Sequence, residues 1–148
     1  MTHFTLQIQG LGPLVKASIG VSAGREAALK AAGQPVPSFV HVTALIDTGA
    51  SCTCVDPTML APLGLSSTGP ARVTTPSTGT TAVHYQQFDV CLLIAGFSLA
   101  QPIFRRDTIA VVELDLKGLG VDVLIGRDIL SECVLHYNGV TGAYTLAF

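Results

Sequence analysis

The stretch Ala44-Leu45-Ile46-Asp47-Thr48-Gly49-Ala50-Ser51 decides how this chain is read. Three apolar residues run into an aspartate, and a threonine, a glycine and two small residues follow. The apolar run predicts a strand, which holds the Asp47 carboxylate at a fixed point. Thr48 carries a hydroxyl able to hydrogen-bond locally or across an interface. Gly49 lets the backbone turn sharply and approach another group closely. The same residue types also make an ordinary strand-to-turn exit, where Asp and Gly are common. The rest of the chain decides between these readings.

A second segment supplies the weight. Val121-Asp122-Val123-Leu124-Ile125-Gly126-Arg127-Asp128-Ile129-Leu130 is an apolar strand, a glycine, Arg-Asp, and the start of a short apolar helix. Together the two segments resemble the retropepsin-like aspartic proteases, the single-domain relatives of pepsin. That family carries a hydrophobic-hydrophobic-Asp-Thr/Ser-Gly-Ala motif and a later hydrophobic-Gly-Arg-Asn/Asp-hydrophobic-Leu motif, in this order. The likeness extends loosely from about Phe39 to the C-terminus. The first 38 residues are poorly matched, although residues 1–148 read as one domain, the size expected for a single core.

The resemblance implies an all-β fold, a closed barrel-like structure, and a homodimer in which Asp47 of each chain meets its copy. It implies an aspartic endopeptidase acting on an extended polypeptide, with no metal and no cofactor. Asp47 is the catalytic residue in this reading, supported by Thr48, Gly49 and Ala50. Gly126, Arg127 and Asp128 are structural neighbours of the site. Family members commonly pair the arginine with an acid shortly after the catalytic glycine. Here Ser51 stands at that position, which leaves Asp128, Asp56 or a backbone carbonyl as the acceptor for Arg127. One feature of the sequence supports the dimer independently. Of seven aspartates, only Asp47 is followed by Thr/Ser-Gly. A mechanism that needs two carboxylates must take the second from another copy, as a two-fold axis allows. The alternative is a catalytically silent or dormant module of the same fold that binds peptides or dimerises.

Outward from these motifs, the segment from Arg72 to Tyr85 is the candidate flap. Pro76, Ser77, Thr78 and Gly79 form its turn. Tyr85 reads first as a core residue. The remaining pattern is short β-strands punctuated by Gly and Pro: Thr5–Gln9, Leu14–Val21, Phe39–Ile46, Val73–Thr75, Ala82–Tyr85, Phe88–Ile94, Ile109–Leu114, Val121–Ile125, Cys133–Tyr137 and Ala143–Phe148. Asn138-Gly139 is a hairpin turn between the last two. Two or three short helices accompany them: Arg25–Ala32, Pro57–Leu63 behind an Asp56 N-cap, and Arg127–Glu132. Ser66–Thr81 reads as a loop apart from the short Val73–Thr75 strand.

Composition removes other classes. Hydrophobic residues make up 49% and charged residues 12%, about half the usual ~25% charged fraction. That balance opposes disorder and leaves surface suited to burial against another chain. The net charge is −2 and the eight basic residues are scattered, so nucleic acid is not an expected partner. No apolar run approaches the ~20 residues of a membrane span. Met1-Thr2-His3-Phe4 has no signal-peptide character, so a cytoplasmic setting with reduced thiols is expected. Cys52 and Cys54 are one residue apart, with no Cys/His partners for zinc. They read first as small apolar residues, and second as a redox-sensitive feature of the site. The four histidines are too dispersed to suggest a triad.

Overall fold

Alternation of apolar and polar side chains builds most of the strands. In the computed structural model, which describes residues 1–74, 79, 83–97 and 101–148, strand β1 (His3–Gln7) buries Phe4 and Leu6 and exposes the residues between them. Strand β2 (Leu14–Val21) is buried along most of its length, and β3 (Val40–Ile46) buries Val42, Ala44 and Ile46. The others are β4 (Cys54–Val55), β5 (Gly69–Val73), β6 (Val83–Ala95), β7 (Ile103–Glu113), β8 (Val123–Ile125), β9 (Val134–Asn138) and β10 (Ala143–Ala147). Helices α1 (Ala23–Ala31), α2 (Pro57–Leu60) and α3 (Arg127–Leu130) are short.

The strands form two sheets. One has the order β1-β10-β9 and the other β2-β3-β8-β4-β7-β6-β5, with β2 also pairing β6. That extra pairing returns the larger sheet on itself, so the all-β fold is barrel-like. The two-residue pairings of β4 are too short to make a full barrel wall. The first 38 residues are integral to this arrangement: β1 covers one edge of β10, and β2 lies between β3 and β6. Val15, Ile19, Val42, Ile125 and Leu146 belong to the main apolar core, which draws on both sheets. The buried Tyr144 hydroxyl joins the sheets by donating to the Leu14 carbonyl. A second cluster contains Leu14, Cys54, Val112, Leu116, Val121 and Leu124.

The helix starts follow their caps. Asp56 accepts from the Thr58 N–H at 2.9 Å, and Pro57 occupies the first helical position, where its missing N–H costs nothing. Ser22 caps α1, accepting from the Arg25 N–H at 3.3 Å. No helix among the described residues is long and apolar enough to cross a membrane.

Several boundaries differ from the sequence reading. The strands expected at Ala82–Tyr85 and Phe88–Ile94 are joined as β6, although Ala82 lies outside the described residues. The polar Gln86-Gln87 pair between them is held in the strand by pairing with Pro70 and Gly69 of β5. Strand β5 therefore occupies part of the expected Ser66–Thr81 loop. Strand β7 begins at Ile103, before the expected Ile109, because Arg105, Arg106 and Asp107 are exposed while the backbone pairs with β6. Arg106 meets Glu132 there at 2.7 Å. Strand β4 has only two residues, too few to show a period.

Candidate active site

Strands β3 and β8 run parallel, with Ala44, Leu45 and Ile46 beside Val123, Leu124 and Ile125. Parallel neighbours leave a sheet at the same end. The two sequence segments therefore emerge together although they are far apart in the chain. The Asp47 N–H donates to the Ile125 carbonyl at 3.0 Å, and the Arg127 N–H donates to the Ala50 carbonyl at 2.9 Å. These two bonds tie the Asp47–Ala50 turn to the start of α3.

Within the turn, Asp47 Oδ1 accepts the Gly49 N–H at 2.9 Å, and its carbonyl accepts the Ala50 N–H at 3.2 Å. The carboxylate is thereby oriented by its own loop. Its other oxygen has no hydrogen-bond donor among the described residues. Asp47 is half-buried, whereas Thr48 and Gly49 are exposed. The Thr48 hydroxyl has no hydrogen bond among the described residues. The Thr48 carbonyl accepts from the Arg127 guanidinium at 3.2 Å. A backbone carbonyl is therefore the acceptor here, rather than Asp128 or Asp56, and no carboxylate forms an ion pair with Arg127 among the described residues.

Asp128 faces a different partner, which the sequence reading missed. Its Oδ2 accepts the Thr53 N–H and its Oδ1 the Thr53 hydroxyl, each at 2.8 Å. Oδ1 also accepts the Ile129 N–H at 2.9 Å. The Thr53 oxygen in turn accepts the Gly126 N–H at 3.2 Å. Thr53 is fully buried, so each of its polar atoms needs such a partner. Gly126 fits tightly: an added Cβ would lie 2.5 Å from both the carbonyl carbon and the oxygen of Cys52. Asp47, Thr48, Gly49, Ala50, Gly126, Arg127 and Asp128 thus form one knot, with Thr53 as its clasp.

The flap assignment is covered only in part. Its arms pair in register, with Ala71, Arg72 and Val73 opposite Tyr85, His84 and Val83. Gly79 is exposed at a φ of 58°, a conformation suited to glycine. Pro76, Ser77 and Thr78 lie outside the described residues. Half-buried Ala71, Val73 and Tyr85 pack on the second apolar cluster, as does Cys52. Both arms and the exit of the Asp47 loop therefore rest on the same apolar floor. Two cavities among the described residues, about 530 and 220 Å³, are not lined by Asp47. The larger opens beside Lys16, Ser18, His41 and Thr43 of β2 and β3. Among the described residues no group of three or more His, Cys, Asp or Glu side chains is placed to hold a metal ion.

The family model described as aspartyl protease matches residues 29–129, more than two thirds of the chain and all of the knot. The chain belongs to the aspartyl protease family. A solved structure, a retropepsin-like aspartic protease from Rickettsia conorii, is similar in fold, with a TM-score of 0.53. The match covers 99% of this chain and 90% of that one, at 13% identity. No curated protein sequence matches the chain. The chain thus has the expected retropepsin-like fold, and β1 and β2 fall within the region matched to the Rickettsia structure.

Proposed function

We propose that this chain is an aspartic endopeptidase active as a homodimer, with Asp47 of each copy supplying one of two catalytic carboxylates. The observation that carries the reading is the Asp47-Thr48-Gly49 turn itself. It is held from beneath and open at the surface, with one carboxylate oxygen and the Thr48 hydroxyl unengaged among the described residues. A two-fold axis at this turn supplies what one chain lacks.

The chemistry follows from bringing two carboxylates within a few ångströms. Both cannot ionise cheaply, so the pair holds one proton and titrates as a unit. The ionised member takes a proton from a water molecule, which attacks the scissile carbonyl. The protonated member hydrogen-bonds the carbonyl oxygen, and a proton then passes to the leaving nitrogen. Thr48 would bond across the axis beneath the carboxylates, and the exposed Gly49 carbonyl would accept from substrate backbone. Ala50 holds the turn to α3, while Gly126, Arg127 and Asp128 support it from below. The β5–β6 arms, with Pro76 to Gly79 between them, would cover an extended peptide bound in the manner of an added strand.

The test is cleavage of a diverse peptide library across pH by the wild type and by Asp47→Asn. Cleavage by the wild type alone is expected. Equal cleavage by both would remove Asp47 from the chemistry. Binding without cleavage by either would favour a silent module.

A further inference from the structure

The proposed mechanism leaves two thiols beside the site unused. Cys52 lies at a bend just after the Asp47 turn, and Cys54 opens β4. Thr53 between them is pinned toward α3 by Asp128 and Gly126. Neighbouring side chains in extended backbone point to opposite faces. Fixing Thr53 on one face turns Cys52 and Cys54 to the other. There both meet the second apolar cluster, Cys54 inside it and Cys52 against it.

The two sulfurs sit on residues two apart that share one apolar cluster. The Cys54 thiol folds back toward its neighbour and lies 3.7 Å from the Cys52 carbonyl oxygen. Residues two apart in a straight strand span about 6.6–6.8 Å, the upper end of the roughly 4.4–6.8 Å Cα range of disulfides.

The two thiols differ in character. The Cys54 thiol beside it draws the Cys52 thiol down to about 7, against burial and the nearby Asp128 charge, with a smaller pull from Ser51. The Cys52 thiol, together with burial, pushes Cys54 up. Cys52 is thus shifted toward the thiolate, the nucleophilic form, and it is half-buried rather than sealed. Cys91 and Cys133 are pushed up by burial, and neither has a cysteine beside it in sequence.

We infer that Cys52 and Cys54 form a reversible redox modification site, oxidised to a disulfide by a small-molecule disulfide such as glutathione disulfide. The Cys52 thiolate attacks one sulfur of glutathione disulfide. The S–S bond breaks, and one glutathione leaves as a thiolate that takes up a proton. Cys54 then loses its proton, and its sulfur attacks the Cys52 sulfur of the mixed disulfide. The second glutathione leaves and is protonated in turn. Two protein thiols are oxidised, and one glutathione disulfide is reduced to two thiols. The new bond pulls on the Cys52 backbone, which packs against Gly126 beneath the Asp47 turn. Resting on the peptidase reading above, the oxidised protein cleaves at least tenfold more slowly, and dithiothreitol restores it.

The experiment treats the full chain with glutathione disulfide, traps free thiols by alkylation and maps all four cysteines by mass spectrometry. The wild type is expected to form the Cys52–Cys54 cross-link before Cys91 or Cys133 reacts. Cys54→Ala should stop at glutathione on Cys52, and Cys52→Ser should leave Cys54 reduced. Modification of Cys91 or Cys133 first, or equal modification of Cys54 in Cys52→Ser, would overturn the site. Unchanged turnover of cross-linked protein would overturn its control of activity. Because the thiol map does not depend on cleavage, an inactive protein that still cross-links would count against the peptidase and not against the thiol pair.

Discussion

Thr53 joins the exit of the Asp47 turn to the start of α3 through one short side chain. It was hidden in the sequence because its partners lie far along the chain, 75 residues away at Asp128 and 73 at Gly126. The only local signal was its place between two cysteines that read as apolar, which put a polar residue on the opposite face. Thr53→Val keeps the size and removes the hydroxyl, leaving a buried Gly126 N–H without its acceptor. The expected loss is about 1–3 kcal/mol, read as a lower denaturant midpoint at unchanged slope. An unchanged midpoint would mean that the clasp carries no stability. Asp56, by contrast, was legible as a cap from Asp-Pro alone, but its second bond was not. Its Oδ2 accepts the Leu116 N–H at 3.0 Å from a distant turn. Burial raises the carboxyl, but the Thr58 hydroxyl, the Leu116 and Thr58 N–H groups and the Lys117 charge together hold it below its ordinary value. A folded value below the unfolded one contributes stability above the unfolded carboxylate range of about 3.9, lost as pH falls through the folded value. Thermal midpoints should therefore drop below about pH 4, and Asp56→Asn should lose part of that slope. An identical slope in the variant would show that Asp56 is not a source of the acid sensitivity.

Among the elements, the parallel pairing of β3 and β8 makes the site. Each strand was readable as an apolar run, and each exit as a motif. Their adjacency was not, because no local signal encodes a parallel contact between segments so far apart. The resemblance to a family supplied it instead. Strands whose polar or charged residues face water, such as the first half of β7 and the middle of β6, escaped the pattern for a related reason. The first half of β7 is held by backbone pairing with β6, and the middle of β6 by pairing with β5 and β7, which side-chain periodicity does not report. The joint between β8 and α3 gives the element-scale prediction. Gly126→Ala forces a methyl group against the Cys52 backbone at 2.5 Å. Backbone cannot rotate away as a side chain can, so the turn or the helix must move. A cost of about 1–3 kcal/mol is expected, together with a larger fractional loss of peptide cleavage than of folded protein. Full activity with wild-type stability would show that the close approach at Gly126 is not needed.

Across the whole molecule, low charge and high apolarity were read as surface destined for a second copy. The chain's own first residues take up part of that need. Strand β1 pairs along β10, and Phe4 and Leu6 are buried in the core, so the N-terminal segment is not a detachable extension. Val134 and Tyr137 of β9 and Val140 in the following turn remain exposed. Thr48 of the Asp47 turn also stands at the surface. If completing that site requires a second chain, activity is set by mass action. The most direct measurement is peptide cleavage per mole of chain over a wide range of protein concentration, with the monomer–dimer equilibrium followed in parallel by sedimentation. Specific activity should rise in proportion to the dimer fraction and vanish on dilution into monomer. Constant specific activity in solutions that sediment as monomer would contradict the two-chain active site.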